Sequence, residues 1–255
     1  MIHQGNSWAS LSNNPPCRII SMVPSLTELL YYLGLGKYVV GITRFCVLPE
    51  TKIPKPKIIG GTKNPKIDSI RLLNPDFIIA SKEENRYSDI HEMHDGTAVW
   101  VTDIATIEDN IELINSLLAQ FDIQSDYKSI VQNFTKLYTQ GAILRNKRVL
   151  YLIWKEPYMT VGGDTFIHEM IHHAGFENVT SSLERYPVLS KEEIISLCPD
   201  YIFLSTEPYP FKQSHLQEFA TIFPDSKIIL VDGQMFSWYG IRPLFAMEYF
   251  ATIEG

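Results

Sequence analysis

Two segments of this chain, 124 positions apart, are variations on one theme. Residues 69–81 run Ser-Ile-Arg-Leu-Leu-Asn-Pro-Asp-Phe-Ile-Ile-Ala-Ser, and residues 193–205 run Glu-Ile-Ile-Ser-Leu-Cys-Pro-Asp-Tyr-Ile-Phe-Leu-Ser. Ile70, Leu73, Pro75, Asp76, Ile78 and Ser81 fall on Ile194, Leu197, Pro199, Asp200, Ile202 and Ser205. The unit reads as a short helix, a Pro-Asp turn and a strand covered on both faces. Proline stops the helix, and the unbroken apolar run that follows has the length of a buried strand. Two more pairs keep nearly the same separation and order. Arg18-Ile-Ile-Ser-Met matches Arg148-Val-Leu-Tyr-Leu, and Val99-Trp-Val-Thr-Asp103 matches Ile228-Ile-Leu-Val-Asp232. Three matches in register predict two related α/β lobes.

Between the lobes, Ser125 to Asn146 carries Tyr127, Ile130, Val131, Phe134, Leu137 and Tyr138 at helical spacing, with no glycine or proline before Gly141. That pattern predicts a stiff amphipathic helix rather than a flexible linker. The expected organisation is a first lobe over 18–121, a bridging helix over 122–146 and a second lobe over 147–255. Strands are expected near 18–22, 38–43, 76–81, 98–102, 148–154, 201–205 and 227–231. Helices are expected near 25–34, 67–73, 85–93, 106–120, 164–174, 190–197, 212–221 and 240–252. Such alternation implies mostly parallel sheets, whose ligand sites lie beyond the carboxyl ends of the strands.

The chain of 255 residues is 45% hydrophobic and 20% charged, enough for a full core in each lobe. Its net charge of −7 argues against a nucleic-acid partner, and no apolar run reaches the ~18 residues of a membrane span. Residues 1–8 have neither a basic nor an apolar leader region. The chain as it stands therefore reads as cytoplasmic, or as periplasmic if a leader has been removed. Cys17, Cys46 and Cys198 lack metal or redox spacing and read as buried free thiols.

Arg18-Ile-Ile-Ser-Met-Val-Pro-Ser-Leu-Thr-Glu28 resembles the first strand and turn of substrate-binding proteins for cobalamin and ferric siderophores. The likeness continues through Val40-Gly-Ile-Thr43, Gly60-Gly-Thr62, Leu73-Asn-Pro-Asp76, Gly162-Gly163, Ala174-Gly-Phe-Glu-Asn178 and Tyr186-Pro-Val-Leu-Ser190. Thr43-Arg-Phe-Cys46, Lys82-Glu-Glu-Asn85 and Asp232-Gly-Gln-Met-Phe-Ser-Trp-Tyr-Gly240 resemble a branch whose members often begin without a leader. Where that branch commonly has histidine before the proline of the Phe-Cys segment, this chain has Leu48. The resemblance implies two Rossmann-like lobes with mostly parallel sheets joined by one long rigid helix; the stiffness of that helix implies little opening, and a monomer is expected. It also implies a non-catalytic binding protein for ABC-type uptake, without a cofactor, holding a metal chelate or corrinoid-like ligand between its lobes.

The candidate ligand residues are Pro24, Ser25, Phe45, Lys82, Trp154, Tyr158, Tyr186, Phe236, Trp238 and Tyr239. The aromatic ones would offer flat apolar faces, with polar tips on the Tyr and Trp rings. Ser25 with Glu28 also fits a capping box for the helix that starts there. Exported relatives use one surface glutamate per lobe to meet arginines of a transporter permease. The matching positions here fall near Tyr87 and Ser237, so Glu83 and Glu84 are the weaker substitutes.

A rival signal is His168-Glu-Met-Ile-His172, the HExxH pattern that sets two imidazoles on one helical face beside a general base. The longer metalloprotease pattern wants a third ligand where Asn178 stands, and an amide is a poor zinc ligand. No metal is therefore expected. Zinc-dependent hydrolysis and a cytoplasmic ligand sensor or carrier stand as the alternative functions.

Overall fold

The computed structural model describes residues 1–8, 15–47, 55–94, 96–139 and 145–253. The chain divides into two compact units. One comprises Met1–Lys136 together with Tyr239–Ile241, the other Leu137–Trp238 and Arg242–Gly255.

The first unit begins with β1 (Ile2–Gln4), β2 (Ile19–Ser21), α1 (Pro24–Tyr32), a 3₁₀ turn over Leu35–Tyr38, β3 (Val39–Ile42) and β4 (Lys57–Ile58). A small hairpin follows, β5 (Gly60–Gly61) with β6 (Asn64–Pro65), then α2 (Ile67–Leu72) and β7 (Phe77–Ser81). The unit continues through α3 (Tyr87–Met93), β8 (Ala98–Thr102), α4 (Ile107–Gln120) and α5 (Gln124–Thr139), within which the division of the chain falls. Its sheet has the order β1-β8-β7-β2-β3-β4, parallel throughout. Chain order reverses beside β2, where β3 lies on one side and β7 on the other. That switch point is where open α/β sheets take ligands.

Residues before 18, where the sequence predicts no strand, contribute the edge strand β1 through its parallel pairing with β8. Trp8 packs its ring against Phe77 and Trp100, at centroid distances of 5.2 and 5.5 Å. Three residues of strand carry too little periodicity to announce themselves.

The second unit contains β9 (Lys147–Leu152), β10 (Tyr158–Met159), α6 (Phe166–His173), β11 (Phe176–Asn178) and β12 (Val188–Leu189). It continues with α7 (Lys191–Leu197), β13 (Tyr201–Ser205), α8 (Gln213–Ile222), β14 (Lys227–Val231), α9 (Gly233–Ser237) and α10 (Arg242–Thr252). Its sheet, β11-β9-β13-β14, is again parallel, with the switch point between β9 and β13. The repeated strands β7 and β13 are both interior and fully buried.

The repeated Pro-Asp turn does the same work twice. Asp76 accepts the backbone N–H groups of Cys17 and Arg18 (2.9 and 3.0 Å), and Asp200 accepts that of Arg148 (2.8 Å). The arginine side chain completes each clasp: Arg18 donates to the Leu73 and Asn74 carbonyls, Arg148 to that of Cys198.

Several expectations are corrected. The Ser25–Glu28 capping box does not form: Val23 is the cap, Pro24 opens α1, and no side chain caps it. Proline has no N–H to satisfy at that position, so the chain enters one residue earlier and Ser25 lies inside the helix. Genuine capping boxes close α4 (Thr106 with Asp109) and α7 (Ser190 with Glu193). The bridging helix departs from helical geometry at Tyr127 and does not reach Asn146, whose φ of 51° is left-handed. Ile130 and Phe134 are the buried part of its stripe, while Gly141 and the side chain of Tyr138 lie outside the described residues. The helix expected over 240–252 is α10; a further short helix, α9, precedes it, with Gly240 (φ 80°) between the two. Only Cys46 of the three thiols is buried; Cys17, just before β2, and Cys198, in the second Pro-Asp turn, are exposed.

Candidate ligand site

The carboxyl ends of the first unit's strands converge on a buried hydroxyl cluster. Ser21, Thr43, Ser81 and Thr102 end or follow β2, β3, β7 and β8, and all are buried. Thr27, one turn into α1, donates to Ser21 Oγ (2.8 Å) and contacts Cys46 Sγ (3.0 Å); Thr43 Oγ1 stands 3.2 Å from the same sulfur. Burial raises the Cys46 pKa, with a contribution from the charge of Glu84, so this thiol is a packing and hydrogen-bonding group. Tyr239 enters the cluster from the other end of the sequence. Its phenol meets the hydroxyls of Ser81, Ser25 and Thr102, and burial raises its pKa well beyond the usual tyrosine range.

This explains where the first unit's candidates fall. Pro24 and Ser25 are buried at the start of α1, beside the switch point, and Tyr239 is buried with them. Phe45 is 52% exposed beyond β3, and Lys82 is exposed beyond β7, ion-paired with Asp103. Asn85 organises the turn that presents Lys82: its Oδ1 accepts the Ser81 N–H (2.9 Å) and its Nδ2 donates to the Thr62 carbonyl (2.9 Å). Glu83 is exposed and Glu84 half-buried on that turn, while Leu48 lies outside the described residues.

In the second unit, Trp154 follows β9 and is 40% exposed, edge-on to Tyr209 at 5.3 Å. An antiparallel ribbon holds the next two candidates. Tyr158 pairs with Leu189, and the ribbon is extended by Thr160 N–H to Pro187 O (2.9 Å) and Gly162 N–H to Arg185 O (2.7 Å). Glycine is required at 162, because a Cβ there would stand 2.3 Å from the Leu183 carbonyl oxygen. The register sets Tyr158 and Tyr186 on opposite faces. Tyr158 turns to the core, edge-on to Phe219 and Phe223, whereas Tyr186 is half-buried under the Arg185 guanidinium.

Phe236 and Trp238, expected to face a ligand, are buried. Phe236 is wholly enclosed by Tyr151, Phe203, Tyr249 and Phe250 and has no free face; the turn after β14 winds into α9 and carries it inward. Trp238 donates its indole N–H to Glu207 Oε1 (2.8 Å), which also accepts the Ser237 hydroxyl (2.9 Å), and the Arg242 guanidinium lies 5.2 Å over the indole. Burial raises the Glu207 pKa, partly offset by these two donors. Nothing local in the sequence marks Tyr209, Glu207 and Arg242 as ligand candidates. Only their position beyond β13 and on α10 could have marked them, and that requires the sheet order.

The HExxH helix is organised for packing. Thr165 caps α6 by accepting the His168 N–H. Glu169, which a metalloprotease would turn toward its water, pairs instead with buried His173 (3.3 Å) one turn on. Asn178, where a third ligand would stand, donates to the Val161 carbonyl and lies 3.3 Å from His168 Nδ1. Burial lowers the His168 pKa. Among the described residues, no three His, Cys, Asp or Glu side chains are grouped to hold a metal. No described helix is long and apolar enough to cross a membrane.

The family profile described as periplasmic binding protein matches residues 19–221 of this chain. The chain belongs to that family. It is 26% identical over 205 residues to the vitamin B12-binding protein of Vibrio parahaemolyticus, a match covering 78% of this chain and 74% of that one. Its fold matches the periplasmic vitamin B12-binding protein of Vibrio cholerae with a TM-score of 0.75 at 22% identity, over 93% of this chain and 96% of the other. It matches the periplasmic haem-binding protein of Roseiflexus sp. RS-1 with a TM-score of 0.76 at 20% identity, over 92% and 96%. The α/β architecture of mostly parallel sheets is thus that of two-lobed solute-binding proteins, which bind without catalysing a reaction.

Proposed function

We propose that this binding protein takes a flat, largely apolar metal chelate or corrinoid-like molecule at the strand-end rims of its two units. The observation that carries the reading is the exposed aromatic surface there. In the first unit Phe45 is 52% exposed, and Lys82, exposed beyond β7, would meet an anionic substituent; in the second Trp154 is 40% exposed and Tyr186 half-buried. Each ring stacked on a planar ligand would add about 0.5–1.5 kcal/mol beyond simple burial. The buried hydroxyls beneath the rim are held by one another and by backbone, which leaves a rigid floor and no nucleophile poised against a base. The names of the relatives, for vitamin B12 and for haem, agree with this class. Calorimetric titration with cobalamin, haem and ferric siderophores tests it, with stoichiometric micromolar or tighter binding of at least one expected. Failure of all three, or stoichiometric zinc that disappears in a His168→Ala, His172→Ala double variant, would overturn it.

The family relationship supports action on the periplasmic side, and a relative described as an ABC transporter substrate-binding lipoprotein supports delivery of the ligand to a permease. Glu83, exposed on the turn after β7, is the carboxylate proposed to meet a basic permease surface. Charge reversal at Glu83 should then lower uptake in cells while leaving affinity for the ligand unchanged; unchanged uptake would remove this role. Cell fractionation that leaves the protein in the cytosol would favour the sensor or carrier alternative.

A further inference from the structure

At the end of the first sheet away from the ligand rim, a cavity of about 350 Å³ opens where β2, β3 and β4 begin. Four cations line it: Arg18 before β2, Lys37 in the 3₁₀ turn before β3, and Lys55 and Lys57 at β4, over a floor that includes Val39 and Leu73. Among the described residues, no aspartate or glutamate lines it, although the chain has 29 acidic residues against 22 Lys and Arg. Four like charges around one concavity repel one another, and an anion relieves that repulsion. Among the described residues, none of the three lysines pairs with a carboxylate.

The cations are also placed in advance. Arg18 Nε donates to the Leu73 and Asn74 carbonyls (3.1 and 3.0 Å) and Nη2 to that of Leu73, which orients the guanidinium plane and leaves Nη1 in the remaining donor role. The Lys37 ammonium sits 4.9 Å over the Tyr38 ring, itself stacked on Phe121. Lys57 is held by the pairing of β4 with β3, opposite Gly41. A planar guanidinium among flexible ammonium groups is the donor set that suits phosphate oxygens. A carboxylate would use fewer of these donors, and the cavity is at the small end of the range for small-molecule sites.

We propose that this basic cavity binds a phosphate-bearing anion, either a free pyrophosphate-type ion or the phosphate of an anionic lipid head group. It is independent of the ligand proposed above, so either can fail without the other. The test uses the full chain at low ionic strength. Pyrophosphate is titrated calorimetrically, and co-sedimentation is measured with phosphatidylglycerol–phosphatidylcholine vesicles and with phosphatidylcholine alone. Lys37→Gln/Lys57→Gln is compared with Lys128→Gln/Lys136→Gln, which removes the same charge elsewhere on this unit. The expected result is binding weakened at least tenfold by the first pair and less than twofold by the second. Binding of pyrophosphate but not vesicles identifies a free anion, and the reverse identifies a head group. Should the first pair compromise folding, acetylation footprinting of the wild type replaces it, with protection of Lys37, Lys55 and Lys57 but not Lys128 expected. No binding in either assay, an equal loss with both pairs, or footprinting without selective protection would each overturn the proposal.

Discussion

Asn110 holds Gly240 by both of its backbone groups: Nδ2 donates to the carbonyl oxygen at 2.9 Å, and Oδ1 accepts the N–H at 2.6 Å. The two residues are 130 positions apart and both buried, and through them Tyr239–Ile241 belongs to the first unit while the chain on either side belongs to the second. Gly240 suits the place twice over. Its φ is 80°, and a Cβ would stand 3.1 Å from both the Ser25 carbonyl oxygen and Leu29 Cβ.

Asn110→Ala should therefore leave a donor and an acceptor buried without partners. At about 1–3 kcal/mol for each buried group left unsatisfied, the expected loss is about 2–4 kcal/mol. Urea unfolding followed by tryptophan fluorescence measures it; a loss below 0.5 kcal/mol (on the order of a surface substitution) would mean that water replaces the amide.

The two Pro-Asp clasps predict matching effects. Asp76→Ala and Asp200→Ala each remove a carboxylate that receives main-chain N–H groups at the start of a central strand. Both sites are solvent-accessible, so each should cost about 1 kcal/mol. Thermal unfolding that leaves one variant unaffected would show that the repeated turn has kept its sequence but lost its role in that unit.

Glu207 gives a pH dependence whose sign is fixed by its surroundings. Its folded-state pKa is raised, chiefly by burial. Between the ordinary glutamate value and that raised value the native state binds more protons than the unfolded one, so this group lowers stability as pH climbs. Ser237 and Trp238 both donate to Oε1, an atom that glutamine keeps. Glu207→Gln should accordingly be more stable than the wild type at pH 7.5, with the difference shrinking toward pH 4. A difference that grows on acidification would contradict the assignment.

Trp154→Ala separates binding from folding. The ring is 40% exposed and its described aromatic contact is the edge of Tyr209, so about 1 kcal/mol or less of stability should be lost. Affinity for the chelate, once identified by titration, should fall at least tenfold. Equal affinity in the variant would place the ligand elsewhere.

The sequence by itself determined the repeating part of this protein. Buried parallel strands read as unbroken apolar runs, and Pro-Asp turns stop helices by local sterics, so β7, β13 and most of the helices are legible within a few residues. The aspartates of the repeat even announce their own pairing, because Arg18 and Arg148 recur with them. Tertiary structure alone decided which way the special residues point. A hydroxyl at Ser25 can cap a helix or lie within it, and the one-residue shift at Pro24 settled that. HExxH places Glu169 between two histidines in sequence, yet packing of α6 turned it to His173. Phe236, Trp238 and Tyr239 are neighbours in the chain, but a short helix and the left-handed turn at Gly240 sent them to a core, a carboxylate and a hydroxyl cluster. The basic cavity joins Arg18, Lys37, Lys55 and Lys57 only because β2, β3 and β4 start side by side. Periodicity is local and survives in one dimension; the direction of a side chain depends on what the rest of the chain packs against it.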